Sequence, residues 1–371
     1  MKVIIAAAGT GGHINPGIAI ANKIKKENPE ARITFIGTKN GLENTLVPKS
    51  GYELYTIEAY GFNRKININN IIKGIKTFSS IRTVKKFIKE YKPDIIIGTG
   101  GYICGPVFWS VKKLKIPTIL HESNAFPGAT VKLLAGKVDE VLVSFEDTKR
   151  LLKKAKKVVV TGTPTNIKNL NLTNIQKEEI KEQLGFKKEL PLVLIFGGSQ
   201  GARTINTALL EIFKRKSNSN YQIIFATGPK QYDDVKIELN KNGINIEYIP
   251  LTKVVPYIYN MEEVMNASDL IICRSGAMTV TEISLLGKPA IFIPLPSNGA
   301  NRQEDNARVL EKIGAATVIL DKDLTVESLS NEINTIINDK QVLTKMGNNA
   351  QTIAIKNTQE VIYKEIIKCL K

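Results

Sequence analysis

The sequence predicts an α/β protein built from two Rossmann-like domains, each a doubly wound parallel sheet. Three observations lead there. Short apolar runs alternate with longer amphipathic stretches from end to end, as strands buried on both faces by crossover helices require. The alternation restarts with a fresh strand and glycine loop at Leu192. A chain of 371 residues also exceeds one comfortable hydrophobic core and suits two domains of ordinary size.

In the first half, Val3–Ala8, Arg32–Ile36, Asp94–Gly98, Thr118–His121 and Glu140–Ser144 read as buried strands, with helices at Pro16–Glu27, Thr83–Tyr91 and Pro106–Lys115. A lysine-rich helix, Lys149–Lys157, and a strand, Val158–Val160, close it. The boundary is expected near Gly162–Pro164, giving a first domain of 1–163 and a second of 164–344. A C-terminal helix of about 345–371 is expected to pack back on the first. After a polar helical stretch, Thr173–Gly185, the second half reads as strands at Leu192–Gly197, Gln222–Ala226, Ile246–Ile249, Leu270–Cys273, Ala290–Ile293 and Ala316–Ile319. Its helices are Ala202–Lys214, Thr279–Leu286 and Gln303–Lys312. Two such domains facing across a cleft would hold ligand at the carboxyl ends of their strands.

Composition narrows the partners. Lys+Arg 52 against Asp+Glu 35 gives a net charge of +17, which suits a polyanion, an anionic membrane surface or a phosphorylated ligand. Richness in Lys, Asn and Ile offers a competing explanation, compositional bias. Nucleic acid is not expected, since aromatics are 6% and no helix-turn-helix, OB or RRM signature occurs. Cys104, Cys273 and Cys369 lie far apart without CxxC spacing, so neither a disulfide framework nor a zinc site follows and a reducing compartment is the simplest expectation. No signal peptide is recognisable and no apolar run nears the ~20 residues of a bilayer span. The expected location is cytoplasmic, or attached to a membrane by the surface alone. Tyr60–Lys92 carries Arg64, Lys65, Lys73, Lys76, Arg82, Lys85, Lys86, Lys89 and Lys92 against one acid, Glu90, with Ile68, Ile71, Ile72, Ile75 and Phe78 at helical spacing. Such a patch fits anionic lipid, at ~1 kcal/mol per basic residue near the surface; the other reading is a solvated helix with its apolar face in the core.

Four loops carry the chemistry. Gly9-Thr10-Gly11-Gly12-His13 follows the first strand, and its glycines expose amides at a helix N-terminus where an anion is stabilised. It lacks the dinucleotide fingerprint. His13, one of two histidines, is placed at the end of a strand to act as a general base; capping the helix or packing against the next strand is the alternative. His121, in His121–Ala125, reads as a structural residue holding the loop that presents Asn124. Gly98-Thr99-Gly100-Gly101-Tyr102 forms the second loop, with Tyr102 and Cys104 expected near the mouth. The third, Phe196 to Arg203, offers Ser199 and the amides of Gly198 to Ala202 to a departing pyrophosphate, without the lysine of a nucleoside-triphosphatase loop. The fourth, Arg274 to Glu282, puts Glu282 where it either accepts from both hydroxyls of a ribose or, solvated, stabilises a helix N-terminus; spacing favours neither. Asn301 to Asn306 opens a further helix, as sugar ligands or as an ordinary solvated start. Asp321-Lys322-Asp323 matches a DxD metal pattern but stands late in the chain, before a helix, and is not expected to bind metal.

Taken in order, GTGGH, GTGGYICGP, HESNA, GGSQGAR and CRSGAMTVTE resemble the signature loops of the MurG family, the UDP-N-acetylglucosamine:N-acetylmuramyl-(pentapeptide) pyrophosphoryl-undecaprenol N-acetylglucosaminyltransferases of peptidoglycan synthesis. The similarity runs from Val3 to about Ala307. It implies a GT-B fold, an inverting transfer without metal or other cofactor, a lipid-linked muramyl acceptor, and a peripheral position on the cytoplasmic face of the membrane. It makes His13 the base and puts Tyr102 and Asn124 on the acceptor side. Donor contacts implied are Thr10, Gly11, Gly12, Asn124 and Asn166, with Ser199 and Gly198 at the diphosphate, Ala277 at the α-phosphate, Glu282 at the ribose, Ile258 at the uracil through its backbone, and Gln303 at the GlcNAc hydroxyls. The chain departs from the family at Asn166, where members often carry arginine, and at Arg302-Gln303, where some have a glutamine pair. A glycosyltransferase acting on diacylglycerol and a UDP-GlcNAc 2-epimerase are the alternatives, separated by the acceptor and by whether an acceptor is needed at all.

Overall fold

The computed structural model describes the chain except residues 61–67, 166, 168–171, 216–219 and 298–301, and gives 68–75 as helix backbone only. It divides into two units, Met1–Asn166 with Ile355–Lys371, and Ile167–Ala354.

The first unit runs β1 (Lys2–Ala6), α1 (Gly11–Glu27), β2 (Arg32–Thr38), α2 (Glu43–Lys49), β3 (Glu53–Ile57), α3 (Ile68–Tyr91), β4 (Ile95–Gly98), α4 (Cys104–Val111), β5 (Thr118–Glu122), α5 (Ala129–Leu134), β6 (Glu140–Val143), α6 (Glu146–Arg150) and β7 (Val158–Val160). Its seven strands are parallel in the order β3-β2-β1-β4-β5-β6-β7. Strand pleating sends alternate residues to opposite faces: Val3 and Ile5 join α1 residues Ile14, Ile18 and Ile24 in one core, while Ile4 and Ala6 join Val84, Ile88 and Val107 in the other. Both faces are therefore apolar, and the strands read as unbroken hydrophobic runs.

The second unit runs α7 (Asn174–Gln183), β8 (Leu192–Phe196), α8 (Arg203–Arg215), β9 (Gln222–Ala226), α9 (Tyr232–Lys241), β10 (Thr252–Val255), α10 (Met261–Ala267), β11 (Leu270–Cys273), α11 (Ala277–Leu286), β12 (Ala290–Phe292), α12 (Arg302–Lys312), β13 (Ala316–Val318), α13 (Val326–Ile337) and α14 (Lys340–Gln351); α15 (Thr358–Leu370) then returns to the first unit. The sheet is parallel in the order β10-β9-β8-β11-β12-β13. In both sheets the order reverses beside the first strand, so β1/β4 and β8/β11 are the switch points where crossovers diverge and a crevice opens.

Several elements differ from expectation. The strand expected at Ile246–Ile249 is a short 3-10 turn, Ile246–Tyr248, begun by Asn245 accepting from the Glu247 amide; the strand is β10. The helix expected over Lys149–Lys157 stops at Arg150. Like charges four apart (Lys149/Lys153, Arg150/Lys154) oppose its continuation, and Lys156 and Lys157 turn instead to Asp139 and Glu140 at 2.9 and 3.0 Å. The C-terminal stretch is two helices, and α14 belongs to the second unit; only α15 packs on the first, where Lys23 meets Glu360 and Lys157 meets Glu365. Among the elements not read from the sequence are α2, α5, α9, α10 and β3.

Candidate active site

In the first unit two glycine loops meet at the β1/β4 switch point. α1 begins at Gly11 rather than near Pro16, because the Thr10 carbonyl already collects the amides of His13 and Ile14 at 3.0 and 3.1 Å. His13 thus stands in the first helical turn, half-buried. Thr10 is the N-cap residue but makes no side-chain cap bond, so its hydroxyl does not occupy the first amides of the helix. The His13 Nδ1 lies 3.2 Å from the Ala8 carbonyl. A carbonyl can only accept, so Nδ1 carries the proton and Nε2 is the basic nitrogen. The Thr99 hydroxyl donates to the His13 carbonyl at 2.7 Å, tying β4 to α1. Gly100 and Gly101, at φ +111° and +82°, pass so close that a Cβ on the first would lie 2.6 Å from His13 Cδ2 and on the second 2.5 Å from the Ala8 oxygen. Glycine is required at both by conformation and by space.

Tyr102 is half-buried, its ring beside Gly9, and it borders an apolar groove of about 190 Å³ with Phe78, Trp109 and Leu133. Cys104 does not sit at the mouth. It is wholly buried, its thiol bonded to the Gly100 carbonyl at 3.3 Å and pushed up to about 12 by burial. His121 is structural, as expected, its Nδ1 accepting from the Ser123 hydroxyl at 3.4 Å beside Asn124. Burial lowers its pKa and keeps the ring neutral, and its Nε2 donates to the Gly162 carbonyl at 2.9 Å. Asn124 itself is held by Glu122, whose Oε1 accepts its backbone and side-chain amides at 2.9 and 2.8 Å while Oε2 accepts from Gly128 at 2.7 Å. Glu122 was legible only as part of the HESNA run, and Glu43, below the first loop, carried no sequence signal at all. Asn166 lies outside the described residues.

In the second unit the loops after β8, β11, β12 and β13 are stitched together. Gly198 and Ser199 are exposed at the head of the β8–α8 loop. Gly201, at φ +73°, rests on the Thr227 carbonyl, where a Cβ would come within 2.1 Å. α11 starts at Ala277 after Gly276, which makes no side-chain cap bond; its first amides and dipole favour a negative charge there. Behind these loops Arg274 is buried, its guanidinium donating to the Ile293 and Pro294 carbonyls at 2.9 and 3.0 Å, to Thr204 at 3.0 Å, and pairing with Asp321. Asp321 of the DxD pattern serves as that counter-ion and as acceptor from Thr204 at 2.7 Å. The Gln303 carbonyl accepts from Ser275 Oγ at 2.7 Å, and its side-chain Oε1 accepts from the Leu295 amide at 3.0 Å.

Glu282 is the sixth residue of α11 and partly buried. Burial, with a smaller contribution from Glu262, pushes its carboxyl up to about 7. The Ile258 side chain is buried, leaving only its backbone for a ligand, and it is flanked by exposed Tyr257 and Tyr259, whose rings meet edge-on at 5.0 Å. This aromatic pair was not singled out in the sequence.

Two family models match, one within the first unit and one covering most of the second and running into α15. The glycosyltransferase family 28 N-terminal domain matches residues 3–143 and the glycosyltransferase family 28 C-terminal domain residues 192–365. A relative from Acetivibrio thermocellus is 46% identical over 99% of this chain and 98% of its own length, and one from Bacillus cereus is 41% identical over 100% of both. Both are named UDP-N-acetylglucosamine–N-acetylmuramyl-(pentapeptide) pyrophosphoryl-undecaprenol N-acetylglucosamine transferase. The crystal structure of Acinetobacter baumannii MurG superposes with a TM-score of 0.80 at 28% identity, covering 99% of each chain. A UDP-GlcNAc 2-epimerase from Neisseria meningitidis shares the fold alone, at 16% identity and a TM-score of 0.68. The parallel sheets, the two family models and relatives 41–46% identical over nearly the whole chain place it in glycosyltransferase family 28, as a member of the MurG family with the GT-B fold.

Proposed function

We propose that the chain transfers GlcNAc from UDP-GlcNAc to the C4 hydroxyl of undecaprenyl-diphospho-MurNAc-pentapeptide (lipid I), giving lipid II, in one inverting, metal-independent displacement. The observation that carries the chemistry is His13, turned by the Ala8 carbonyl so that Nε2 is its basic nitrogen. The acceptor C4 oxygen attacks C1 of GlcNAc as its proton passes to Nε2. The bond from C1 to the β-phosphate oxygen breaks, and its electron pair leaves on UDP. That charge is met by the Ser199 loop and the N-termini of α8 and α11, while Glu282 accepts from the ribose hydroxyls, the Ile258 backbone reads uracil and the Gln303 amide meets the GlcNAc hydroxyls. Product analysis with UDP-GlcNAc and lipid-linked muramyl acceptor in EDTA tests it: disaccharide is expected, and epimerised nucleotide without acceptor would overturn the reading. Loss of turnover in chelator would remove the metal-free step, and near-normal turnover of His13→Ala the base.

The same reading places the protein peripherally on the cytoplasmic face of an anionic membrane. Among the described residues no helix is long and apolar enough to cross a bilayer. Supporting the docking are the apolar groove, with Phe78 72% and Leu133 52% exposed, and the basic residues around it, among them Lys137 over the Trp109 ring at 4.7 Å. Of the residues that suggested the patch, Arg64 and Lys65, and the side chains of Lys73, Ile68, Ile71, Ile72 and Ile75, lie outside the described residues. Vesicle co-sedimentation should require anionic lipid and weaken with salt, and equal pelleting with neutral vesicles would refute the electrostatic part.

A further inference from the structure

Glu43 opens α2, and its side chain is wholly buried. Its carboxylate is gripped from two sides. Oε1 accepts from the amide and hydroxyl of Thr38 at 2.8 and 2.5 Å, and Oε2 accepts from the amide of Gly9 at 3.1 Å, across 34 positions of sequence. The surrounding chain is shaped to it: a Cβ on Gly41 would lie 2.1 Å from Oε2, and one on Gly37 2.6 Å from Cγ. Burial pushes the carboxyl up, yet the Thr38 and Gly9 donors more than reverse this and hold it below its ordinary value, so it is charged.

The Gly9 N–H and the Ala8 carbonyl are the two ends of one peptide group. Its N–H points at Glu43, and its oxygen accepts from His13 Nδ1 at 3.2 Å. Hydrogen bonds in series through a polarisable group strengthen one another, by about 10–30% per bond. We propose that Glu43, the Ala8–Gly9 peptide group and His13 form one relay, with Glu43 as a positioning residue that fixes the peptide plane, sharpens the Ala8 oxygen as an acceptor and holds His13 with Nε2 as the basic nitrogen. The proposal rests on the reading of His13 as the base. When Nε2 takes the acceptor's proton, the second N–H of the imidazolium already has its partner, and the buried negative charge behind the peptide favours the cation. No proton travels along the relay, and Glu43 stays ionised throughout. Gly101 keeps the Ala8 oxygen open, since any Cβ there would collide with it. The titratable groups on neighbouring elements are Tyr102 and Cys104 after β4 and Glu122 at the end of β5; the Cys104 thiol, pushed up to about 12, stays protonated.

The chain has two histidines, so protein labelled with 15N in the imidazoles gives two rings to follow, and buried His121 serves as the reference. Unsubstituted protein should show His13 protonated at Nδ1; an Nε2–H tautomer for that ring would overturn the relay with no substitution made. Glu43→Gln keeps the shape, but with its carbonyl on Thr38 its NH2 faces the Gly9 N–H, and the bond is lost. His13 should then titrate about one pH unit lower, and kcat should fall about tenfold with the acidic limb of its pH profile moving the same way and KM for UDP-GlcNAc nearly unchanged. A folded Glu43→Gln with an unaltered His13 spectrum would overturn the proposal. Val47→Ala, in the core on the same helix, should lower stability while leaving the His13 spectrum and kcat in place; if it moves both as Glu43→Gln does, the role of Glu43 is structural only. If the His13 spectrum shifts as expected but His13→Ala still turns over, the relay stands and the base assignment falls.

Discussion

Glu282→Gln should make the free protein more stable and bind its donor worse. A carboxyl that ordinarily titrates near 4.5 is held at about 7, first by burial and then by Glu262. Its pKa is raised in the folded state, so the folded chain binds the proton more tightly than the unfolded one. The resulting stability is fully present below about 4.5 and is lost as pH rises through about 7. Above that window the ionised group costs about 2–3 kcal/mol, the lower end reflecting its partial opening to solvent. Glutamine cannot ionise, so the second unit of Glu282→Gln should resist urea better than the parent at pH 8 and equally at pH 4. Donor binding should move the other way. A carboxylate accepting from two ribose hydroxyls makes two charge-assisted bonds, and exchanging it for an amide should cost about 2–3 kcal/mol, roughly 30- to 150-fold in KM for UDP-GlcNAc. For the parent, that KM should also rise as pH drops below about 7. Denaturant titration at the two pH values, beside steady-state kinetics, reads both effects. A variant destabilised at pH 8 with KM unchanged would mean that Glu282 is merely a solvated residue supporting its helix, and the ribose role would fall.

Three further outcomes follow from particular contacts. Gly100→Ala forces a Cβ to within 2.6 Å of the His13 ring at φ +111°, so kcat should drop about a hundredfold from misplacement of the base, and an unchanged kcat would place catalysis elsewhere. Lys157 and Lys368 hold Glu365 below the usual carboxylate range against its burial, a contribution present above about 4.5 and lost as pH falls below it. Glu365→Gln should therefore weaken the hold on α15 by about 1–3 kcal/mol, seen as faster amide exchange across Thr358–Leu370, and unchanged exchange would refute it. Asp321→Asn should lower stability by leaving Arg274 without its counter-ion, about 3–5 kcal/mol, and should not create or abolish a response to added Mg²⁺ in the transfer assay; a metal-dependent rescue would restore the DxD pattern as a ligand site.

The central strands and glycine loops were legible because their signals are local. A run such as Val3–Ala6 has no stable alternative to a strand covered on both faces, and Gly-Gly next to a strand end marks where backbone must pass close to something. What escaped was either weakly patterned or non-local. The edge strand β3 is half-exposed and mixes Glu and Thr with its apolar residues, so it lacks the continuous run of the central strands. The turn at Ile246 reads as a strand because Ile246, Tyr248 and the following Ile249 are residues a strand favours; the Asn245 side chain, bonding back to the chain, decides otherwise. In the site, His13 was visible as a residue but its tautomer was not, since that depends on the Ala8 carbonyl folding back under the helix. Glu122 and Glu43 act through partners whose identity only the fold supplies, and a single Glu in a helical stretch is ordinarily a solvated one.

Two desolvated carboxylates, Glu43 in the first unit and Glu282 in the second, show how one residue type is set to opposite tasks. Glu43 is wholly buried, yet it stays ionised because three N–H and O–H donors converge on it. Glu282 is pushed up to about 7, because what acts on it is burial and another carboxylate rather than donors. A carboxylate supplied with donors by the protein serves the protein, here by fixing a peptide group. One that the fold desolvates without supplying donors is destabilised until something else brings hydroxyls to it, and a ribose carries two. The free energy that Glu282 withholds from folding is thereby available to binding, while that of Glu43 is spent in advance on holding the base. Donor affinity should consequently depend steeply on pH near neutrality through Glu282, and the orientation of His13 should not.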